Sequence, residues 1–342
     1  PLKCACPCWS PDGKYVMFVA RPTEHAGGII SKGWGDSGVL PGNVWVISAD
    51  GVKRWLVSNF FFGRLRPPDG HQADPLQLDV ASAAWSPDGK KIAFSVGRYQ
   101  VYVMNADATD IYQLVDAQGW SYGDTLQWAS DGKGVLLGGH SGFCIHKLDG
   151  AASLPLAVPD RGKLTQPCIS PNGNRVAGII EDGAEMGLCV MNRDSRQVKW
   201  LTRRERFGGL GVTFSPRSWS PDAKQIAIHG NNLTLDMFVA IVNVTTGTVR
   251  RLTEGAAPSW SPDGKWIAFQ GGIGDCGNIY LIGPDGKNLR RITNLTPPGV
   301  CMVWGSQPRC SPDGKQIVFR RGEHVWAANL DGSGETCVVQ GT

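Results

Sequence analysis

Three cysteines alternate with other residues near the start of this chain, Cys4-Ala5-Cys6-Pro7-Cys8, the most unusual local pattern in the sequence. On an extended strand, residues two apart point the same way, so the spacing predicts three sulfurs on one face, suited to a soft metal or a redox pair. The competing expectation is structural: disulfides that tie the N-terminal strand to the C-terminal part of the fold, where Cys310 and Cys337 are the candidate partners of Cys4, Cys6 and Cys8. Such ties would stabilise by a few kcal/mol in the loop-entropy estimate. Connectivity stays open, because spacing does not determine pairing, and neither a Cys-x-x-Cys knuckle nor a Cys-x-x-Cys-His haem site occurs. The six histidines are His25, His71, His140, His146, His229 and His324. They form no motif, although His140 and His229 follow or end predicted strands of different repeats. No Gly-x-Ser-x-Gly elbow is present, and Gly271-Gly272-Ile273-Gly274 lacks the following helix of a phosphate loop.

The elements that must position these residues announce themselves through repetition. A Ser-Pro-Asp-Gly-Lys phrase or a near copy follows an aromatic or apolar residue seven times, with its Asp or Asn at 12, 88, 131, 172, 222, 263 and 313. A self-similar unit of roughly 40–50 residues built from short strands marks a β-propeller, one blade per repeat. Blade six shows the logic. Ala257 to Trp260 is extended, and Ser261-Pro262-Asp263-Gly264 is a turn in which Pro presets φ, Asp bonds nearby backbone N–H groups and Gly accepts positive φ. Trp266 to Phe269 and Asn278 to Ile282 read as further strands, and a second turn at Pro284-Asp285-Gly286 leads into Leu289 to Thr293. The Val, Ile, Phe and Tyr of such runs suit sheets packed on both faces. The Trp before each turn recurs too regularly for a ligand platform, and is expected to be a wedge between blades.

The expected fold is therefore all-β: a seven-bladed propeller of four-stranded antiparallel blades, with six blades as the alternative. One propeller domain spans 1–342, with blades at about 3–58, 81–116, 125–158, 165–202, 214–253, 256–293 and 307–340. Apolar content of 42% with 19% charged residues suits a globular chain, and a net charge of +4 is too weak to argue for nucleic acid. No apolar run approaches the ~20 residues of a membrane helix. Ten cysteines, an even number, favour an oxidising setting, periplasmic or secreted, and the start at Pro1 suggests a processed N-terminus. Asn232, Asn243 and Asn294 open glycosylation sequons, but Asn243 reads as strand.

The Ser-Pro-Asp-Gly phrases are similar to the WD40-like propeller repeat known as PD40, found in the TolB family, and the resemblance covers nearly the whole chain. It implies a TolB-like propeller, and TolB-like propellers are periplasmic protein-binding modules. Related repeats form gating domains of peptidases or non-catalytic subunits of larger extracytoplasmic enzymes, and propeller lyases of acidic polysaccharides use a His-lined central pocket. This chain departs from TolB in its seven motif copies and in the lack of a preceding α/β domain. The fold and the binding habit carry over; a TolB partner does not.

In a four-stranded blade, the first and third connections share one side of the disc and the others share the opposite side. The tight Pro-Asp-Gly and Asp-Gly turns occupy the first side, while Arg21 to Gly42, Asn59 to Val80, Ala117 to Thr125, Arg203 to Thr213 and Asn294 to Ser306 fall on the second. Loops longer than connection requires are usually functional or disordered, so this irregular side is the expected binding face. Its candidate residues are Trp34, Phe60, Phe61, Phe62, Arg64, Arg66, Arg203, Arg204, Arg206 and Trp304, aromatic and Arg residues being the common anchors of interfaces. The expected role is protein binding or scaffolding in an extracytoplasmic complex, with other protein subunits as partners, no nucleic acid, no membrane span, no cofactor and no assigned catalytic residue. Two alternatives stay open: a non-catalytic subunit of a periplasmic redox or hydrolytic complex, and a polysaccharide lyase with a His/metal pocket.

Overall fold

The computed structural model describes residues 2–22, 43–49, 54–56, 80–96, 100–116, 126–139, 142–156, 162–183, 185–193, 197–203, 212–213, 218–231, 237–271, 277–294 and 307–340. They form seven four-stranded antiparallel sheets arranged as a propeller, and no helix is present among them. Each sheet takes four consecutive strands, so blades one to seven run over 2–56, 80–116, 126–155, 163–203, 212–254, 256–291 and 309–339. No strand is exchanged between the first and last blades.

The second strand of each blade explains why its sequence is apolar throughout rather than alternating. Lys91–Val96 is buried from Ile92 onward, as is Val176 to Ile180 within Arg175–Asp182, because both faces press on a neighbouring blade. The core is accordingly divided into seven clusters, one at each blade boundary. Phe18, Phe94, Phe269 and Phe319, at matching positions of blades one, two, six and seven, are among the largest fully buried side chains. Burial of each is worth roughly 2–3 kcal/mol. The boundary between blades seven and one holds Trp9, Val16 and Phe18 against Val318, Val325 and Val339, closing the ring without an exchanged strand.

The Trp residues before the turns are wedges, as expected. Trp9, Trp128 and Trp219 are at most 5% exposed. Each indole N–H also donates to the inner strand of the preceding blade: Trp9 to the Arg309 carbonyl (3.2 Å), Trp128 to Ala84 (2.9 Å) and Trp219 to Cys168 (3.1 Å). The accepting residue always stands just before that blade's own aromatic position. Blade four has Ile169 there and cannot donate, and Gln127 of blade three supplies the bonds instead, giving Nε2 to the Ile169 carbonyl and accepting the Ile169 N–H.

The turn below each wedge is a closed hydrogen-bonded unit. In blade one, Ser10 Oγ donates to Asp12 Oδ1 (2.6 Å), which also accepts the Lys14 N–H (3.1 Å), while Ser10 Oγ accepts the Tyr15 N–H (3.0 Å). The pattern recurs at Ser86, Ser170, Ser220, Ser261 and Ser311. In blade three Ala129 replaces the Ser, and only the bond from the Lys133 N–H to Asp131 remains. The fourth turn residue takes a left-handed φ, 71° at Gly13 and 57° at Ala223, the one blade without Gly there. Successive turns abut: a Cβ on Gly13 would meet Pro312 at 3.7 Å, on Gly89 Pro11 at 3.5 Å, and on Gly264 Pro221 at 3.7 Å. The turns thus form a hoop along one face, open at blade seven, where a Cβ on Gly314 would meet nothing within 4 Å.

The inner strands carry a feature the sequence analysis did not anticipate. In blade one, Ala5 stands opposite Val19 but Cys8 opposite Met17, so one extra residue bulges between them. The same shift occurs between Thr165 and Cys168 and between Ala256 and Ser259, where Gln166 and Ala257 precede a Pro at φ 50° and 51°. Cys4 is registered with Ala20 and Cys8 with Met17.

Candidate functional site

The strand ends that bracket residues 23–42, 57–79, 117–125, 204–211 and 295–306 all lie on the side of the ring opposite the turn hoop. The loop residues Trp34, Phe60, Phe61, Phe62, Arg64, Arg66, Arg204, Arg206 and Trp304 fall outside the described residues, as do His25, His71 and His140. Arg203 is described. It ends the outer strand of blade four on this side, exposed, with its guanidinium paired to Glu185 (3.0 Å) and lying 5.4 Å from the Trp200 ring. The pair is solvent-exposed and contributes little to stability.

The disulfide expectation is not confirmed. No disulfide is formed among the described cysteines: Cys8, Cys310 and Cys337 are not bridged. The reason is geometric. Cys8 packs at the boundary with blade two and Cys310 at the boundary with blade six, so both turn away from the seam they were expected to tie. Cys337 sits on an outer strand opposite Trp326, and the side chains of Cys4 and Cys6 lie outside the described residues. Burial pushes the Cys189 thiol up to about 12 and Cys168 further still, so both are protonated core residues and not nucleophiles.

His229 stands on the second strand of blade five, opposite Thr213 and Val239, near its loop-face end. Burial lowers its pKa to about 4, so its imidazole is neutral at physiological pH. Among the described residues, no three His, Cys, Asp or Glu side chains are grouped to hold a metal ion.

One cluster on this face was missed from sequence. The hairpin between the second and third strands of blade seven pairs Arg321 with His324 and Phe319 with Trp326. The Arg321 guanidinium lies 4.5 Å from the Trp326 ring and 5.2 Å from that of Phe319, and its Nη1 is bound to Glu335. Its Nε and Nη2, with His324 Nδ1 and Trp326 Nε1, are buried and lack a hydrogen-bond partner among the described residues. The signal was a period-two pattern, Phe319-x-Arg321 against His324-x-Trp326, which places all four on one sheet face.

Comparison with known proteins adds the fold and little more. No family model matches, and no curated protein does. Among solved structures, a protein assigned as TolB from Agrobacterium tumefaciens is 19% identical over 71% of this chain and 88% of its own, with a TM-score of 0.54. An oligogalacturonate lyase in complex with manganese is 14% identical over 96% of this chain and 90% of its own, at 0.67. A puromycin hydrolase is 15% identical over 98% of this chain, at 0.69, and this chain spans only 53% of that protein. At these identities the shared property is the propeller itself: this chain is a seven-bladed β-propeller with TolB-like structural neighbours.

Proposed function

We propose that this propeller is a non-enzymatic binding module that engages another protein subunit through its loop face, in an extracytoplasmic complex. The observation that carries this reading is the asymmetry of the two faces. On the hoop side, the turn Ser and Asp side chains are consumed by their own turns, whereas the long connections are anchored on the other side. Variable loops on a rigid scaffold are where recognition is usually carried. The donors of Arg321 and Trp326 left without partners among the described residues on the same side support it, since buried donors gain most when a partner supplies acceptors. The periplasmic or secreted setting rests on the TolB-like resemblance, because the described cysteines supply no disulfide to support it.

The test is capture from the native source with the intact chain and with a variant carrying Phe60→Ser, Phe61→Ser and Arg64→Ser. The expected result is a stoichiometric protein partner held by the parent and lost by the variant, at unchanged thermal stability. Formation of an unsaturated sugar end from oligogalacturonate with added manganese would overturn the reading in favour of a lyase.

A further inference from the structure

Between blades four and five, on the hoop side, a recess of about 310 Å³ is lined by Arg175, Asn192, Gln197, Lys199, Val190 and Val244 among others. Its origin is visible in how other blades treat the same corner. In blades two, four and seven the second residue after the turn glycine faces the last residue of the third strand. In blade two, Lys91 Nζ donates to Asn105 Oδ1 (3.1 Å), and in blade seven Gln316 Nε2 donates to Asn329 Oδ1 (3.4 Å). In blade six the corner is filled by Trp266, which packs on the blade-seven boundary with the Arg290 guanidinium 4.7 Å from its ring.

Blade four departs from both solutions. Arg175 and Asn192 are registered opposite each other, yet their side chains share no hydrogen bond, and neither they nor Gln197 meet an acceptor among the described residues. Lys199 reaches across to the Thr245 carbonyl of blade five, as Arg250 does to the Pro284 carbonyl of blade six, so this lysine is the local form of an inter-blade clamp. What remains is an open corner with two cations, two carboxamides and an apolar floor, and no carboxylate lines it among the described residues.

We propose that this recess is a binding site for a small molecule bearing an oxyanion: a carboxylate, sulfate or phosphate group. A guanidinium offers two parallel N–H donors that match such a group, and the two carboxamides supply further donors beside it. The volume is at the small end of ligand sites, with the polar groups converging over apolar walls. The site lies on the opposite face from the proposed protein-docking loops and does not depend on them.

Calorimetric titration of the full chain with sodium sulfate, sodium phosphate and sodium citrate, each against sodium chloride at matched ionic strength, tests this. One-to-one saturable binding is expected for at least one oxyanion and none for chloride, and the preferred anion identifies the group. Arg175→Gln should weaken binding by about tenfold or more, the scale of one charge-assisted contact. Arg175→Trp should fill the recess as Trp266 does in blade six, abolishing binding while the melting temperature holds or rises. Absence of saturable heat with all three anions, or equal affinity in the parent and Arg175→Gln, overturns the proposal.

Discussion

At the boundary of blades seven and one, the Trp9 indole donates to the Arg309 carbonyl at 3.2 Å; at that of blades two and three, Trp128 does the same to Ala84 at 2.9 Å. Both boundaries enclose an apolar cluster, and both stack a turn glycine on the preceding proline, Gly13 on Pro312 and Gly132 on Pro87. Only the second is crossed by the chain. The difference teaches that ring closure here is an ordinary blade contact repeated once more, and that neither strand exchange nor a disulfide among the described cysteines is used to lock it.

The strongest way to break that equivalence is to remove the wedge from each boundary in turn. Trp9→Ala and Trp128→Ala should each lower unfolding free energy by about 3–5 kcal/mol in denaturant titration. Hydrogen exchange should separate them, because without a chain crossing, the opened seam exposes strands Leu2–Trp9 and Gln316–Arg321 to local opening. Equal exchange in both variants would show that the seam is no weaker than a crossed boundary.

A smaller effect sharpens the role of the indole bond. Trp9→Phe keeps most of the packing and loses one hydrogen bond, an expected cost of about 1 kcal/mol. At the boundary of blades one and two, Trp85 Nε1 is buried without a partner, so Trp85→Phe should be neutral or stabilising. If both substitutions destabilise alike, the indole N–H contributes nothing specific.

The smallest effect concerns the turns and acid. The hydroxyls of Ser86, Ser220 and Ser311, with the following backbone N–H groups, hold Asp88, Asp222 and Asp313 below the usual carboxylate range. A lowered folded pKa means the stabilisation is complete above the unfolded value of about 3.9 and is lost as pH falls through the lower folded values. Stability should therefore be insensitive to these groups at neutral pH and decline below about pH 4. Ala129→Ser should add roughly 1 kcal/mol at pH 7 by completing the deficient turn of blade three, and that gain should shrink in acid. Melting temperatures at pH 7 and pH 3 check both.

The seven blades were legible because the turn chemistry is local: Ser, Pro, Asp and Gly act on backbone atoms within five residues, and a repeated phrase reports a repeated structure. The wedge role of Trp9, Trp128 and Trp219 followed from the same periodicity. The bulge at Cys6-Pro7 was overlooked, although a Pro inside a strand is a mark of such a site and the same pair of positions bulges at Gln166-Pro167 and Ala257-Pro258. The placement of Cys310 at the boundary with blade six was not legible either, because which boundary a strand residue faces depends on register, not on nearness of strands. Arg321 and Arg175 were overlooked because each is singular to its own blade, and reasoning from repeats favours what recurs.

The hoop has a consequence for how such a chain can change. Because the corners of blades one, two, three, four and six each rest on the one before, lengthening one of them would wedge its neighbours apart and spread misfit along the rim. The other rim carries the long connections, and lengthening a loop costs little beyond its own closure. Novelty can therefore accumulate on one side of the disc while the other acts as its template, which is how a scaffold stays recognisable after its tasks have diverged.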